Sequence, residues 1–184
     1  MNPKKRHVRR IIGAAHYDGV IGEAIRWFKF YGKARLAEPL AGEMRAFAEQ
    51  ELDDCYAALV PVPLYRVRLR ERGYNQAELL ARSLLPQFPG AALANALERV
   101  RPTRVQSSLK DPAARRANVR GAFEATPAAG GLRGGAVLLI DDVVTTGVTV
   151  QECARVLRKA GVDAVDVFAA ALTVDKMDQT PEPW

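Results

Sequence analysis

Asp141 and Asp142 follow the apolar run Val137-Leu138-Leu139-Ile140, and Val143-Val144-Thr145-Thr146-Gly147-Val148-Thr149 comes directly after them. The apolar run predicts a buried parallel strand over 136–140 that delivers two carboxylates at its C-terminal end, the edge where open α/β sheets bind ligands. The Thr-Thr-Gly-x-Thr run then opens a predicted helix over 145–160, with Val150, Cys153, Ala154 and Leu157 inward and Gly161 placed to end it. Backbone N–H groups, hydroxyls and the positive end of such a helix make an anion cradle. One segment thus offers a phosphate site and, a turn away, acceptors for sugar hydroxyls or ligands for a divalent cation. Thr and Asp also cap helices and loops with no ligand present. Agreement of strand, turn and helix signals along one stretch distinguishes this segment from an isolated cap.

The elements that must position these residues read as one α/β domain. The chain has 184 residues, 48% of them hydrophobic and 26% charged, which suits a single globular core and excludes a disordered or fibrous chain. No apolar run approaches the ~20 residues of a membrane span. The basic segment 1–10 is not followed by an apolar stretch and small-residue cleavage site, so no secretory signal is expected. Cys55 and Cys153 form neither a zinc pattern nor a disulfide framework, and a cytoplasmic setting follows. The net charge is +6, and 20 of the 27 basic residues are Arg. The planar guanidinium fork suits phosphate oxygens, so an anionic partner is expected, either a phosphorylated small molecule or nucleic acid.

Two amphipathic helices are predicted over 20–30 and 36–52, joined near Gly32, then a buried strand over 56–62 ending at Pro61 and Pro63. Residues 64–72 carry Arg66, Arg68, Arg70 and Arg72 against Glu71 alone. Asn75 and Glu78 resemble a capping box, so Asn75 and Gln76 read as cap residues of a helix bearing Ala77, Leu80, Ala81 and Leu84 inward. Strands are predicted over 94–100, 121–125 and 164–172. Between the first two, the basic stretch 101–120 lacks apolar periodicity and reads as a long functional loop. Alternating strands and helices predict a parallel sheet with helices on both faces. Residues 1–13 read as a basic tail, 14–54 as a helical hood, 55–174 as the core and 175–184 as a C-terminal tail. His7 and His16 have no metal-ligand spacing. Cys153 reads as a buried helix residue. Trp27, Phe28, Phe30 and Tyr31 read as core, with aromatics to spare for a hood over an acceptor base.

The segment Val137–Thr149 resembles the phosphoribosyl-pyrophosphate signature of the type I phosphoribosyltransferases. Three further stretches narrow the match: Val60-Pro61-Val62-Pro63-Leu64, Leu69-Arg70-Glu71-Arg72-Gly73-Tyr74-Asn75-Gln76-Ala77, and Arg115-Arg116-Ala117-Asn118-Val119-Arg120-Gly121-Ala122-Phe123. With Phe28-Lys29-Phe30-Tyr31-Gly32, they resemble the ComF family of competence-associated phosphoribosyltransferase-like proteins, over roughly residues 14–172. Members often begin with a four-cysteine zinc module; these residues give no counterpart to it, and no zinc is expected.

The resemblance implies a type I phosphoribosyltransferase-like sheet with an N-terminal helical hood, binding phosphoribosyl pyrophosphate with Mg²⁺. Asp141 and Asp142 would be the catalytic pair, contacting the ribose hydroxyls and helping to organise Mg²⁺. Val143, Val144, Thr145, Thr146, Gly147, Val148 and Thr149 would hold the 5′-phosphate. Val60, Pro61, Val62, Pro63 and Leu64 would form the pyrophosphate loop, and 101–120 a loop closing over the site. Arg70, Arg72, Arg115 and Arg116 are candidate cationic donors, each also consistent with a solvated charged face. In purine phosphoribosyltransferases an Asp typically stands two residues before the motif's Gly and a Lys often follows that Gly. Here those positions hold Thr145 and Val148. The family's link to competence and the net charge of +6 support an alternative reading, a non-catalytic nucleic-acid-associated or ligand-sensing protein that works with the DNA-uptake machinery.

Overall fold

A computed structural model describes residues 7–52, 55–103 and 111–173. The outer parts of both expected tails, with Lys4, Lys5 and Arg6, and the middle of the basic stretch, with Arg104 and Lys110, lie outside the described residues. In chain order the elements are β1 (Ile11–His16), α1 (Gly19–Phe30), α2 (Ala37–Glu51), β2 (Ala58–Pro61), α3 (Arg66–Arg72), α4 (Gln76–Leu84), β3 (Ala92–Leu93), β4 (Leu97–Arg99), α5 (Pro112–Val119), β5 (Phe123–Ala125), β6 (Ala136–Val144), α6 (Val148–Lys159) and β7 (Ala164–Leu172). Five strands form an all-parallel sheet in the order β1-β7-β6-β2-β3, and β4 pairs with β5 in a separate antiparallel ribbon. No helix among the described residues is long and apolar enough to cross a membrane.

Alternation along β6 builds both cores. Val137 and Leu139 face α6 with Val150, Cys153, Ala154 and Leu157, the four residues expected to point inward. Leu138 and Ile140 face the other way, against Leu40 and Met44 of α2 and Leu80, Ala81 and Leu84 of α4. Both expected hood helices, α1 and α2, belong to this second layer. Burial on both faces explains why β6 is apolar over 136–140 and β7 is apolar apart from Asp166.

Three expectations are corrected. The segment before residue 14 is not all tail: Ile11–His16 forms edge strand β1 beside β7, with Ile11 and Ile12 packing on opposite faces. At Gly13 the strands approach so closely that a Cβ would lie 2.3 Å from Leu172 Cγ. The stretch 101–120 is not all loop either: Asp111 accepts from the amides of Ala113 and Ala114, Pro112 takes a position where an amide is dispensable, and together they start α5. Finally, β6 runs on through Asp141 and Asp142 to Val144, with Asp141 opposite Ala169 and Val143 opposite Ala171, and α6 begins only at Val148.

Arg9 and Arg10 of the basic N-terminal segment are pinned as well. Asp166, the acid of β7, is fully buried and sits near the strand's N-terminal end. Arg9 grips it with two bonds of 2.8 and 2.6 Å, Arg10 donates at 2.9 Å, and the Tyr56 hydroxyl donates at 2.7 Å. Burial alone would raise the Asp166 carboxyl, but the bonds from Arg9, Tyr56 and Arg10 outweigh it and hold the pKa below its ordinary value. Burial, followed by the bond to Asp166, pushes the Tyr56 phenol up to about 12.

Asp166→Ala is expected to lower the unfolding free energy by about 2–3 kcal/mol, below the full cost of splitting a buried pair because both arginines reach solvent. The depressed Asp166 pKa gives stability that is present above the unfolded carboxyl value and lost as pH falls through the folded one. The raised Tyr56 pKa gives stability that fades as pH climbs from about 10 to about 12. Urea unfolding over a pH series checks both. Identical curves for wild type and variant at every pH would exclude this anchor.

Candidate active site at the switch between β2 and β6

β2 and β6 are neighbours in the sheet, yet their connections leave in opposite directions. From β2 the chain passes through α3 and α4 to β3; from β6 it passes through α6 to β7 on the other side. The strand ends therefore part at a topological switch point, where a crevice opens outside the carboxyl edge. The two loops predicted to carry chemistry, 60–64 and 141–149, are the walls of that crevice. Val62 N–H donates to Ile140 O at 2.9 Å, holding the first loop against the strand that carries the carboxylates.

The second wall ends in a sharp turn. Gly147 precedes α6 with φ +73°, a left-handed conformation that a Cβ would strain, and it brings no capping side chain to the helix start. Asp141, Val143, Val144, Thr145, Gly147, Thr149 and Val150 line a recess there. Thr146 and Val148, also expected at the phosphate, are half-buried and are not among the lining residues. In the first wall, Val60 and Pro61 are buried in β2, Val62 is buried, and Pro63 and Leu64 are half-buried at the crevice.

Strand alternation sends the two carboxylates to different neighbours. Asp142 is buried, accepts from Val143 N–H at 2.7 Å, and meets Lys29 Nζ at 2.8 Å, both on Oδ1. Asp141 accepts from Asp142 N–H at 2.9 Å, and its charge reaches Cys153 and Arg99 on the α6 side. Burial, and then the neighbouring Asp142 charge, hold the Asp141 carboxyl well above its ordinary range. Burial disfavours the Lys29 ammonium, but the charges of Asp142 and Asp141 more than offset it and leave its pKa raised. Burial lowers the Cys153 thiol's tendency to ionise, as expected of a core cysteine.

The cations whose fields meet these acids are Lys29, Arg72 and Arg99. Burial lowers the pKa of Arg72 and Arg99, opposed by Asp142 at Arg72 and by Cys153 and Asp141 at Arg99. Arg99 Nε is buried without a hydrogen-bond partner. Of the four arginines singled out from sequence, Arg72 reaches the acids' field. Arg70 is exposed on α3, while Arg115, half-buried, and Arg116, exposed, sit on α5, which packs against α6. Sequence alone assigns no site role to Lys29 or Arg99: Lys29 stands beside Phe28 in the Phe28–Gly32 segment, and Arg99 lies just outside the basic stretch 101–120.

The donor set decides whether the site fits Mg²⁺. Among the described residues no group of three or more His, Cys, Asp or Glu converges. Mg²⁺ is commonly held by one or two carboxylates with waters and substrate phosphates. Asp141 and Asp142 therefore fit a cation shared with a ligand's phosphates, not one caged by protein.

Asn75 joins the walls to the helical layer. Its Oδ1 accepts from Ala77 N–H and caps α4, while its Nδ2 donates to Val62 O at 3.1 Å. The capping box is half realised, because Glu78 pairs with Arg82 instead of reaching back. Gln76 is not a cap: buried, it donates to Phe28 O at 3.2 Å and accepts from Arg72 at 2.6 Å. Asn75→Ala is expected to cost about 1 kcal/mol through the lost cap and to speed amide exchange at Val62 and Leu64. Asn75→Asp keeps the acceptor but loses the donor, so it should retain stability and still loosen the loop. Equal exchange in all three proteins, read by mass spectrometry, would remove Asn75 from the positioning of that wall.

Comparison with known proteins agrees with this geometry. Residues 71–183 match the phosphoribosyl transferase domain family. The chain is 35% identical to competence protein F of Haemophilus influenzae over 88% of this chain and 71% of that one. It is 30% identical to the DNA utilization protein YhgH of Escherichia coli over 90% and 73%. It is 28% identical to competence protein ComFC of Bacillus subtilis over 79% and 56%. The glutamine phosphoribosylpyrophosphate amidotransferase of Bacillus subtilis shares the fold, with a TM-score of 0.50 at 16% identity over 80% of this chain and 30% of that one. A third of all positions held in common along most of both chains is more than a shared type I phosphoribosyltransferase fold requires, and the chain belongs to the ComF family.

Proposed function

We propose that the crevice binds phosphoribosyl pyrophosphate together with Mg²⁺ and transfers the phosphoribosyl group to an acceptor. The observation that carries this reading is the pair Asp141–Asp142 set one turn before the Gly147 entry to α6, at the sheet's switch point. The amides at the start of α6, with Thr145 and Thr149, hold the 5′-phosphate. Asp142, through Oδ2, and Asp141 accept from the ribose hydroxyls. The 62–64 backbone faces the pyrophosphate, and Lys29 and Arg72 supply positive charge as the C1–O bond breaks and the oxygen takes the electron pair. Asp141 and Asp142 would be the residues that hold Mg²⁺, which would supply charge neutralisation for the leaving group. The acceptor's lone pair forms the new bond to C1, and its proton leaves to water.

Calorimetric titration with phosphoribosyl pyrophosphate and Mg²⁺ tests the reading. Asp141→Asn and Asp142→Asn are each expected to weaken binding about tenfold to a hundredfold, the worth of a charge-assisted hydrogen bond. Unchanged affinity in both would overturn the site.

A specific surface favours the nucleic-acid reading as a second role. Trp27, Phe30 and Tyr31 are 42%, 70% and 64% exposed at the end of α1. Arg72 of α3 lies over the Phe30 ring at 5.6 Å, and Lys33 over Trp27 at 5.9 Å. Aromatics beside Arg72 and Lys33 suit stacked bases and a phosphate backbone, and relatives are named for competence and DNA utilization. A single-stranded oligonucleotide added to the same titrations at two salt concentrations separates the two roles.

The acceptor follows from Thr145. A threonine hydroxyl is a poor acid or base near neutral pH, so the motif offers no proton partner for a purine ring. A pyrophosphate-release assay over bases, amines and water is expected to show no efficient turnover with hypoxanthine or guanine; turnover with either would refute the assignment.

A further inference from the structure

The end of α1 is locked in place. Phe28 is fully buried, stacks on Tyr74 at 5.6 Å, and its carbonyl accepts from both Tyr74 OH, at 2.6 Å, and Gln76 Nε2, at 3.2 Å. Lys29 is the next residue. Its backbone is therefore fixed against α4, and its mostly buried stem carries the ammonium to Asp142 Oδ1 at 2.8 Å. That oxygen already accepts from Val143 N–H. A divalent ion needs a carboxylate oxygen at about 2.0–2.1 Å, and here an ammonium holds the oxygen from the side facing α1. The wider balance points the same way: besides Lys29, the charge of Asp142 is felt at Arg72 and that of Asp141 at Arg99. The ligand-free crevice is an attractor of anions, not of free metal ions.

We infer that Lys29 is a positioning residue that serves as the built-in counter-ion of Asp142, fixing that carboxylate for a ribose hydroxyl through Oδ2 and barring a divalent cation from the site until a phosphorylated ligand carries one in. This rests on the reading of the crevice as a phosphoribosyl site.

Two measurements on the full chain test it. The first is Mn²⁺ binding to ligand-free protein, read by the loss of the free-ion paramagnetic resonance signal. Lys29→Met is expected to gain at least about tenfold in Mn²⁺ affinity, because removing one ammonium leaves a carboxylate needing a counter-ion. Lys29→Arg should stay near wild type, and Asp142→Asn added to Lys29→Met should abolish the gain. The second is calorimetric titration with ribose 5-phosphate and no metal, where Lys29→Met should lose about tenfold and Lys29→Arg recover part of it. Equal Mn²⁺ affinity in wild type and Lys29→Met, or a gain that survives Asp142→Asn, would overturn the inference. Failure of wild type to bind ribose 5-phosphate would instead overturn the phosphoribosyl reading, and the Mn²⁺ result would still judge Lys29. Circular dichroism of each variant excludes unfolding, which would lower both affinities and could not produce the gain.

Discussion

Parallel pairing of β2 with β6 is the constraint on which the rest of the molecule depends. Parallel neighbours cannot be joined by a tight turn, so each must be left by a crossover that covers a sheet face. Here one crossover takes α3 and α4 over one face and the other takes α6 over the opposite face. Opposite departures leave the ends of two adjacent strands uncovered, and no packing could close that gap without rerouting the chain. What fills it is polar: the acids at the end of β6, the Gly147 turn, and the backbone of 62–64. The helical layers also supply its charges, Lys29 from α1 and Arg72 from α3, while neutral Cys153 of α6 lies on the Asp141 side.

The same topology separates stability from chemistry. All five strands point one way, so the Asp166 cluster near the start of β7 and the carboxylates near the end of β6 lie toward opposite ends of the sheet. Each end holds buried acid, but they are solved differently. Asp166 is saturated by two arginines and a phenol, which is what a structural charge requires. Asp142 meets Lys29 and the Val143 amide on Oδ1 and adjoins the Asp141 carboxyl, which is held against ionisation. A site that had satisfied every lone pair would have nothing left for a ligand.

Local pattern carried much of this architecture. The runs at 136–140 and 164–172 could only be doubly covered strands, and the stripe Val150, Cys153, Ala154, Leu157 gave the buried side of α6 correctly. Misses came where tertiary contacts override local signal. β1 was hidden because its two isoleucines follow a basic segment, and its strand character comes from pairing with β7. α5 was hidden because its eight residues carry little apolar periodicity; Asp111 followed by Pro112 was the available cue. The ends of β6 and α6 shifted because pairing with β7 extends the strand through acids that no propensity would place there. Lys29 lies 113 positions from Asp142, a separation across which composition and spacing are silent; only the anchoring of Phe28 by Tyr74 and Gln76 makes the pair. The lesson is positional: residues acting within one segment were legible, and those acting across elements were not.

Charge then limits which chemistry the crevice can host. Asp142 is bound to Lys29 and Thr145 has no useful pKa, so neither is suited to draw a proton from an acceptor. Asp141, held above the usual carboxyl range, is engaged by the ribose in the proposed reading and has Cys153, a buried thiol, and Arg99, a guanidinium, as its α6-side neighbours. The arrangement is instead well suited to holding negative charge as it accumulates on a departing group, because Lys29 and Arg72 are already fixed, one by α1's anchor and the other by Gln76 and the Phe30 ring. Preorganised cations lower the cost of bond breaking without reorganisation at the moment of reaction. Under the proposed function, a site so biased would favour leaving-group departure over nucleophile activation, and its acceptor would bring its own nucleophilicity.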